Sequence, residues 1–204
     1  TKGITEEHIK GVDIYRPNNE IWFSHNNGVT AINRKANNTT TYGSDPTNLN
    51  SLLSKESGAI KAFKNGEVWI ASEYSGVSVV GVDRKTITRH INTGKEGEIV
   101  GGKINTIFQA SNGNVYISSL KGTSVFNGAG FKTTYYNPTI KNNQVSDVNV
   151  FFEDSNNNFW AGTNTGGLFR LNKTDLSVLE QYKLDPDNPK SFASSTVYDI
   201  IETS

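Results

Sequence analysis

Apolar and polar residues alternate in short runs of four to six, separated by clusters of Asn, Gly, Ser and Thr, and no segment sustains a 3.6-residue apolar stripe. That pattern predicts β-strands joined by tight turns and excludes a helical solenoid. The runs repeat. Ile21-Trp22-Phe23-Ser24, Val68-Trp69-Ile70-Ala71, Val115-Tyr116-Ile117-Ser118 and Phe159-Trp160-Ala161-Gly162 are four versions of one strand, with Trp22, Trp69, Tyr116 and Trp160 spaced 47, 47 and 44 residues apart. Four residues before each aromatic stand Asn18, Asn65, Asn112 and Asn156, each followed by Asn or Gly. Such pairs accept positive φ, so a type I′ hairpin turn is expected there.

The strands entering these turns are Val12–Tyr15, Ile60–Phe63, Ile104–Gln109 and Val148–Glu153. A second turn at Gly28, Gly76, Gly122 and Gly166 leads into Val29–Ile32, Val77–Val80, Thr123–Phe126 and Leu168–Leu171. More polar fourth strands follow at Thr41-Tyr42, Thr88–Ile91, Lys132–Tyr136 and Leu179–Tyr182. Four strands per repeat of about 45 residues predict an all-β fold made of β-propeller blades, each with four antiparallel strands. The blades are expected at about 9–50, 58–100, 102–142 and 145–192. Coincidence of the landmarks in all four repeats disfavours an ordinary sandwich. The repeated aromatic is expected in the core between blades.

Residues 196–204 match 147–155, so the first strand of a fifth blade is expected at the C-terminus and the chain reads as a propeller fragment. A lone first strand leaves an unpaired edge. The expectation is that further blades follow in the natural protein, or that the open ends pair with a second copy as a homodimer. Two inter-blade loops, Asp45–Ser54 and Asp185–Ser194, nearly superimpose at a spacing of 140 residues, whereas Asn92–Gly102 and Asn137–Asn143 lack their pattern.

Composition narrows the classes. The chain has 25 Asn, 20 Thr, 19 Ser and 19 Gly, the turn formers of a repeated blade, together with 21 aromatics that argue against disorder. Twenty basic and twenty acidic residues give a formal charge of zero, with no basic stripe for nucleic acid and no polybasic membrane patch. The absence of Cys removes disulfides and thiolate chemistry, and the absence of Met, even at Thr1, leads to the expectation of a processed or excised piece. No apolar run is long enough to span a bilayer.

The tract Val148–Thr163, followed by Gly166-Gly167-Leu168-Phe169-Arg170 and Asp185–Ser194, resembles the two-component regulator propeller repeat. The fourth repeat carries the likeness best. Repeats one to three replace the family's Gly-Thr by Ser24-His25, Ala71-Ser72 and Ser118-Ser119, and the third has Tyr116 for Trp. The resemblance implies the periplasmic sensor region of a hybrid two-component system, common in gut bacteria that degrade polysaccharides. By the same resemblance the ligand is a glycan-derived oligosaccharide, and the signal passes through a membrane helix to a histidine kinase outside these residues. The alternative is a propeller scaffold for protein interaction or dimerisation without a small ligand.

Catalytic motifs are missing: His8, His25 and His90 occupy unrelated repeat positions, and there is no H-E-x-x-H, G-x-S-x-G or P-loop. The chain is therefore read as a binding module with no catalytic residue and no cofactor. Asp154-Ser155-Asn156-Asn157-Asn158 opens like a calcium loop but has Phe159 and Thr165 where Gly and an acid are needed, so no metal is assigned. Inter-blade loops and the turns between second and third strands share one face of a propeller. The ligand candidates on it are His25, Asn26, Glu73, Tyr74, Lys121, Asn164 and Thr165. Tyr74 would supply an aromatic platform, and Lys121 or His25 would favour an acidic sugar.

Overall fold

The structure is a computed structural model and describes residues 8–74, 76–135, 145 and 147–203. Its strands are β1 (Gly11–Tyr15), β2 (Glu20–His25), β3 (Gly28–Asn33), β4 (Asn38–Tyr42), β5 (Ser57–Ala62), β6 (Val68–Ser72), β7 (Gly76–Val80) and β8 (Ile87–Ile91). They continue with β9 (Ile104–Gln109), β10 (Val115–Ser119), β11 (Gly122–Phe126), β12 (Phe131–Tyr135), β13 (Val148–Glu153), β14 (Phe159–Thr163), β15 (Leu168–Leu171) and β16 (Val178–Tyr182). They form four four-stranded antiparallel sheets, each ordered as the chain meets its strands, which are the blades of a β-propeller fold. Several boundaries differ from the sequence pattern, among them β5, which begins at Ser57 rather than Ile60. Phe63 leaves β5 to start a turn, and β4 begins at Asn38 because polar Thr39 and Thr40 pair with Ile32 and Ala31. Tyr136, placed in a fourth strand by its pattern, and the loop Asn137–Asn143 lie outside the described residues.

The first turn of each repeat is not type I′. Gly66 N–H donates to Phe63 O and Phe63 N–H to Glu67 O, and the same pair of bonds joins Ala110, Gly113 and Asn114, and Asp154, Asn157 and Asn158. In repeats two to four this is a three-residue loop, a type I turn followed by one left-handed residue, whereas the first repeat spans four residues between paired Tyr15 and Glu20 with a 3-10 turn at Arg16–Asn18. The left-handed residue is the one after the repeated Asn: Asn19 (φ 53°), Gly66 (94°), Gly113 (86°) and Asn157 (61°). Asn65 and Asn112 instead use their side-chain oxygens, each accepting from the backbone N–H two residues on at 3.0 Å.

At the second turn the glycine is needed for space as well as for φ. A Cβ on Gly28 would sit 2.1 Å from Tyr42 O, and one on Gly167 would sit 2.1 Å from Tyr182 O. Gly167, not Gly166, is therefore the fourth-repeat counterpart of Gly28.

The chain divides into two compact units, Thr1–Gly94 with Gly101–Ile107, and Lys95–Val100 with Phe108–Ser204. In the first, Trp22, Leu52, Val68 and Val80 are buried in one apolar cluster. Its first strands meet where side chains are small: Ser24 Oγ donates to Gly58 O at 2.7 Å, and a Cβ on Gly11 would come within 2.7 Å of the same oxygen. In the second unit Tyr116, Phe151 and Phe159 pack ring on ring, with centroids 4.5 to 5.8 Å apart. Tyr116 also donates its hydroxyl to Lys173 O at 2.8 Å.

The repeated tryptophan has a recurring partner on the fourth strand: Trp22 stacks on Tyr42, Trp69 on His90, and Trp160 tilts against Tyr182. Burial pushes the His90 imidazole below its ordinary value, although the Glu67 charge pulls the other way. A histidine depressed in the folded state leaves the unfolded chain binding more protons. Its contribution to stability is full above the unfolded value near 6.5 and falls as pH drops through it. Thermal melts between pH 8 and 5 should show this loss, and His90→Phe should flatten that part of the curve. Identical slopes for both proteins would remove His90 as the cause.

Candidate functional site

The turn between the second and third strands is built by the residue three after the repeated aromatic. His25 Nδ1 accepts from Asn27 N–H at 3.3 Å, Ser119 Oγ from Lys121 N–H at 3.1 Å, and Thr163 Oγ1 from Gly166 N–H at 2.9 Å. These side chains hold the turn from inside. His25 is only 1% exposed and its Nε2 lies 3.0 Å from Thr30 Oγ1, so both ring nitrogens serve the fold. The sequence suggests a loop ligand at His25; the structure makes it the last residue of β2 and a turn cap. Its cue was present, because Ser and Thr hold the same place in the other repeats.

In the first unit, Asn26 is exposed at one turn, and Glu73 and Tyr74 stand on the next. Tyr74 is 70% exposed. Glu73 is half-buried, its N–H donates to Glu56 O at 3.1 Å, and its carboxylate lies 3.8 Å from Lys10 Nζ. The Glu56 and Glu73 carboxyls share a hydrogen bond, which raises Glu56 above the usual carboxylate range and holds Glu73 below it. The charges of Lys10 and Lys103 and the Tyr74 hydroxyl also favour the Glu73 carboxylate.

Lys10, Glu56 and Lys103 each stand directly before a first strand, β1, β5 and β9. The repeat pattern does not single out these three, because they precede first strands rather than lying in the second turns that carry the sequence candidates. The result is a group of two carboxyls, two ammonium groups and one phenol that can accept, donate and stack.

In the second unit Lys121, Asn164 and Thr165 are exposed. The Asn164 backbone is engaged on both sides, donating to Asp147 O at 3.1 Å and accepting from Thr196 Oγ1 at 2.7 Å. Among the described residues no group of three or more His, Cys, Asp or Glu is arranged to hold a metal ion. A hollow of about 540 Å³ at the β3–β4 hairpin, lined by Ile32, Asn33, Arg34 and Thr39 among others, sits at the opposite end of β3 from Gly28. No helix among the described residues is long and apolar enough to cross a membrane.

No family model and no curated protein matches the sequence. Solved structures do resemble it. One is the extracellular domain of a Bacteroides thetaiotaomicron protein described as a hybrid two-component system, at TM-score 0.72 and 15% identity over 98% of this chain and 25% of that one. A second extracellular domain of the same description and organism aligns at TM-score 0.56 and 16% identity, covering 98% of this chain and 32% of the other. Streptogramin B lyase aligns at TM-score 0.64 and 14% identity over 89% of this chain and 56% of the lyase. The chain thus spans a quarter to a third of the two extracellular domains. At these identities the likeness establishes the fold.

Proposed function

We propose that this chain belongs to an extracytoplasmic, periplasmic sensor that binds a glycan-derived oligosaccharide without turning it over and signals to a histidine kinase beyond these residues. The observation that carries the reading is the group at Tyr74: an aromatic face 70% exposed beside Glu73, Glu56, Lys10 and Lys103. Sugars present hydroxyl pairs and an apolar ring face, and a site needs fixed donors and acceptors plus an aromatic surface to read both. The fold shared with extracellular domains described as parts of hybrid two-component systems supports the same conclusion.

Calorimetric titration against a panel of neutral and acidic oligosaccharides tests it. Binding of at least one sugar is expected, and Tyr74→Ala should weaken it about tenfold, the effect of about 1.4 kcal/mol of lost stacking and contact. Absence of heat with every sugar, from a chain shown to be folded, would favour the interaction scaffold.

A further inference from the structure

We propose that the surface of the fourth sheet formed by β13, β14 and the turn at Ser155 is an acceptor site for an extended segment. Its ligand is an extended peptide segment with a β-branched residue and, five positions later, a carboxylate. This inference is independent of the sensor reading. In the structure the site is filled by Thr196–Glu202 of the same chain.

At one end, Val197 N–H donates to Thr163 O at 2.8 Å, and Val197 O accepts from Asn149 Nδ2 at 3.1 Å. Gly167 N–H reaches Ser195 O at 2.7 Å, and Thr196 Oγ1 reaches Asn164 O at 2.7 Å. At the other end the Glu202 carboxylate takes both donors of Ser155, the N–H at 3.0 Å and the hydroxyl at 2.7 Å. Five residues of extended chain cover about 17 Å, which suits a segment anchored beside both ends of β13.

Two features make the site selective. A Cβ on Gly162 would stand 2.6 Å from Val197 Cγ1, so the β-branched residue enters a space left by a missing side chain. The other repeats have Ser24, Ala71 and Ser118 at this place. The carboxylate clip is the second feature, and the chain uses it twice. Ser111 donates its N–H and its hydroxyl to Glu153, both at 2.7 Å. Glu153 follows Val148 by five residues as Glu202 follows Val197, so β13 is clipped to the β9–β10 turn by the same code.

Thr196–Glu202 forms no regular ladder, and Tyr198 and Ile201 are 74% and 78% exposed, so the segment is held from one side only. A second copy of the chain carries the same segment and is the partner whose chemistry fits the site by exchange.

Hydrogen exchange on the full chain tests the clip. Glu202→Gln should speed exchange at the Val197 and Ser155 amides about tenfold or more while Ala161 in β14 stays protected, and Ser155→Ala should do the same at Val197. A labelled peptide spanning residues 194–204 should then bind the Glu202→Gln chain, with the peptide carrying the Glu202→Gln change about tenfold weaker. Unchanged exchange at Val197 in both variants would overturn the proposal, as would equal binding, or no binding, of the two peptides.

Discussion

Arg84→Ala is expected to destabilise the first unit by about 3–5 kcal/mol, the cost of stripping a buried carboxylate of its partner. Arg84 sits in the β7–β8 turn and reaches Glu20 of β2 with Nη2 at 2.7 Å and Nε at 3.1 Å. Its Nη1 donates to Gly66 O at 2.6 Å and Gly81 O at 3.0 Å, and the guanidinium lies over the rings of Tyr15 and Trp22. The Glu20 side chain is 6% exposed, so the alanine variant leaves a largely buried carboxylate without its cation. By contrast, Lys61–Asp13 is a partly exposed pair at 3.3 Å, and Lys61→Ala should cost no more than about 1 kcal/mol.

Urea titration at pH 7 measures both. An Arg84→Ala loss no greater than that of Lys61→Ala would show that Glu20 is solvated or otherwise paired. The sign with pH is fixed as well. Burial raises the Glu20 carboxyl, but hydrogen bonds from Arg84 and Trp22 outweigh it and hold the group below the usual carboxylate range. The pair therefore contributes fully above the ordinary value near 4.5 and is lost as pH falls through the depressed one. The gap between wild type and Arg84→Ala should close in acid, where Glu20 of the variant takes up a proton.

Nothing in the sequence joins Arg84 to Glu20, since 64 residues separate them and each reads as one charge among forty. What the sequence does carry is whatever recurs with the period: the second strand, its aromatic, and both turns. Periodicity placed the first turn but not its type, because the left-handed residue is the neighbour of the repeated Asn, and Asn-Gly suits either geometry.

Alternation also fails where both faces of a strand are covered. From Trp22 to His25 four consecutive residues of β2 are buried, so no polar-out rhythm marked His25 as inward. The group around Tyr74 was half legible. Glu73 and Tyr74 lie on a turn that the repeat locates, whereas Lys10, Glu56 and Lys103 are brought in by the starts of three different first strands.

The same limit bears on the tryptophans, which the sequence treats as equivalent and the structure does not. Trp22→Ala is expected to cost about 3–5 kcal/mol, as for a fully enclosed large aromatic. Trp22 is 0% exposed, stacks on Tyr42 with centroids 5.3 Å apart, and donates Nε1 to Glu20 at 3.1 Å. Trp69, 2% exposed, should fall in the same range. Trp160 is only partly buried, and its Nε1 donates to Asp154 at 2.9 Å, so Trp160→Ala should cost about half as much.

Trp22 and Arg84 act on one carboxylate, so their losses should not add. Once Arg84 is gone, Glu20 depends on the Trp22 indole at 3.1 Å, on Asn33 Nδ2 at 3.4 Å and on the Asn18 side chain, and removing Trp22 as well takes away one of these remaining donors. A double-mutant cycle should return a coupling of about 0.5–3 kcal/mol, whereas Arg84→Ala with Trp160→Ala, residues of separate units, should be additive within about 0.5 kcal/mol. Equal losses for Trp22 and Trp160 would mean that the repeated aromatic acts through its own strand alone. A loss graded with burial, together with coupling only at Glu20, would assign the stability of the first unit to the joint between its blades.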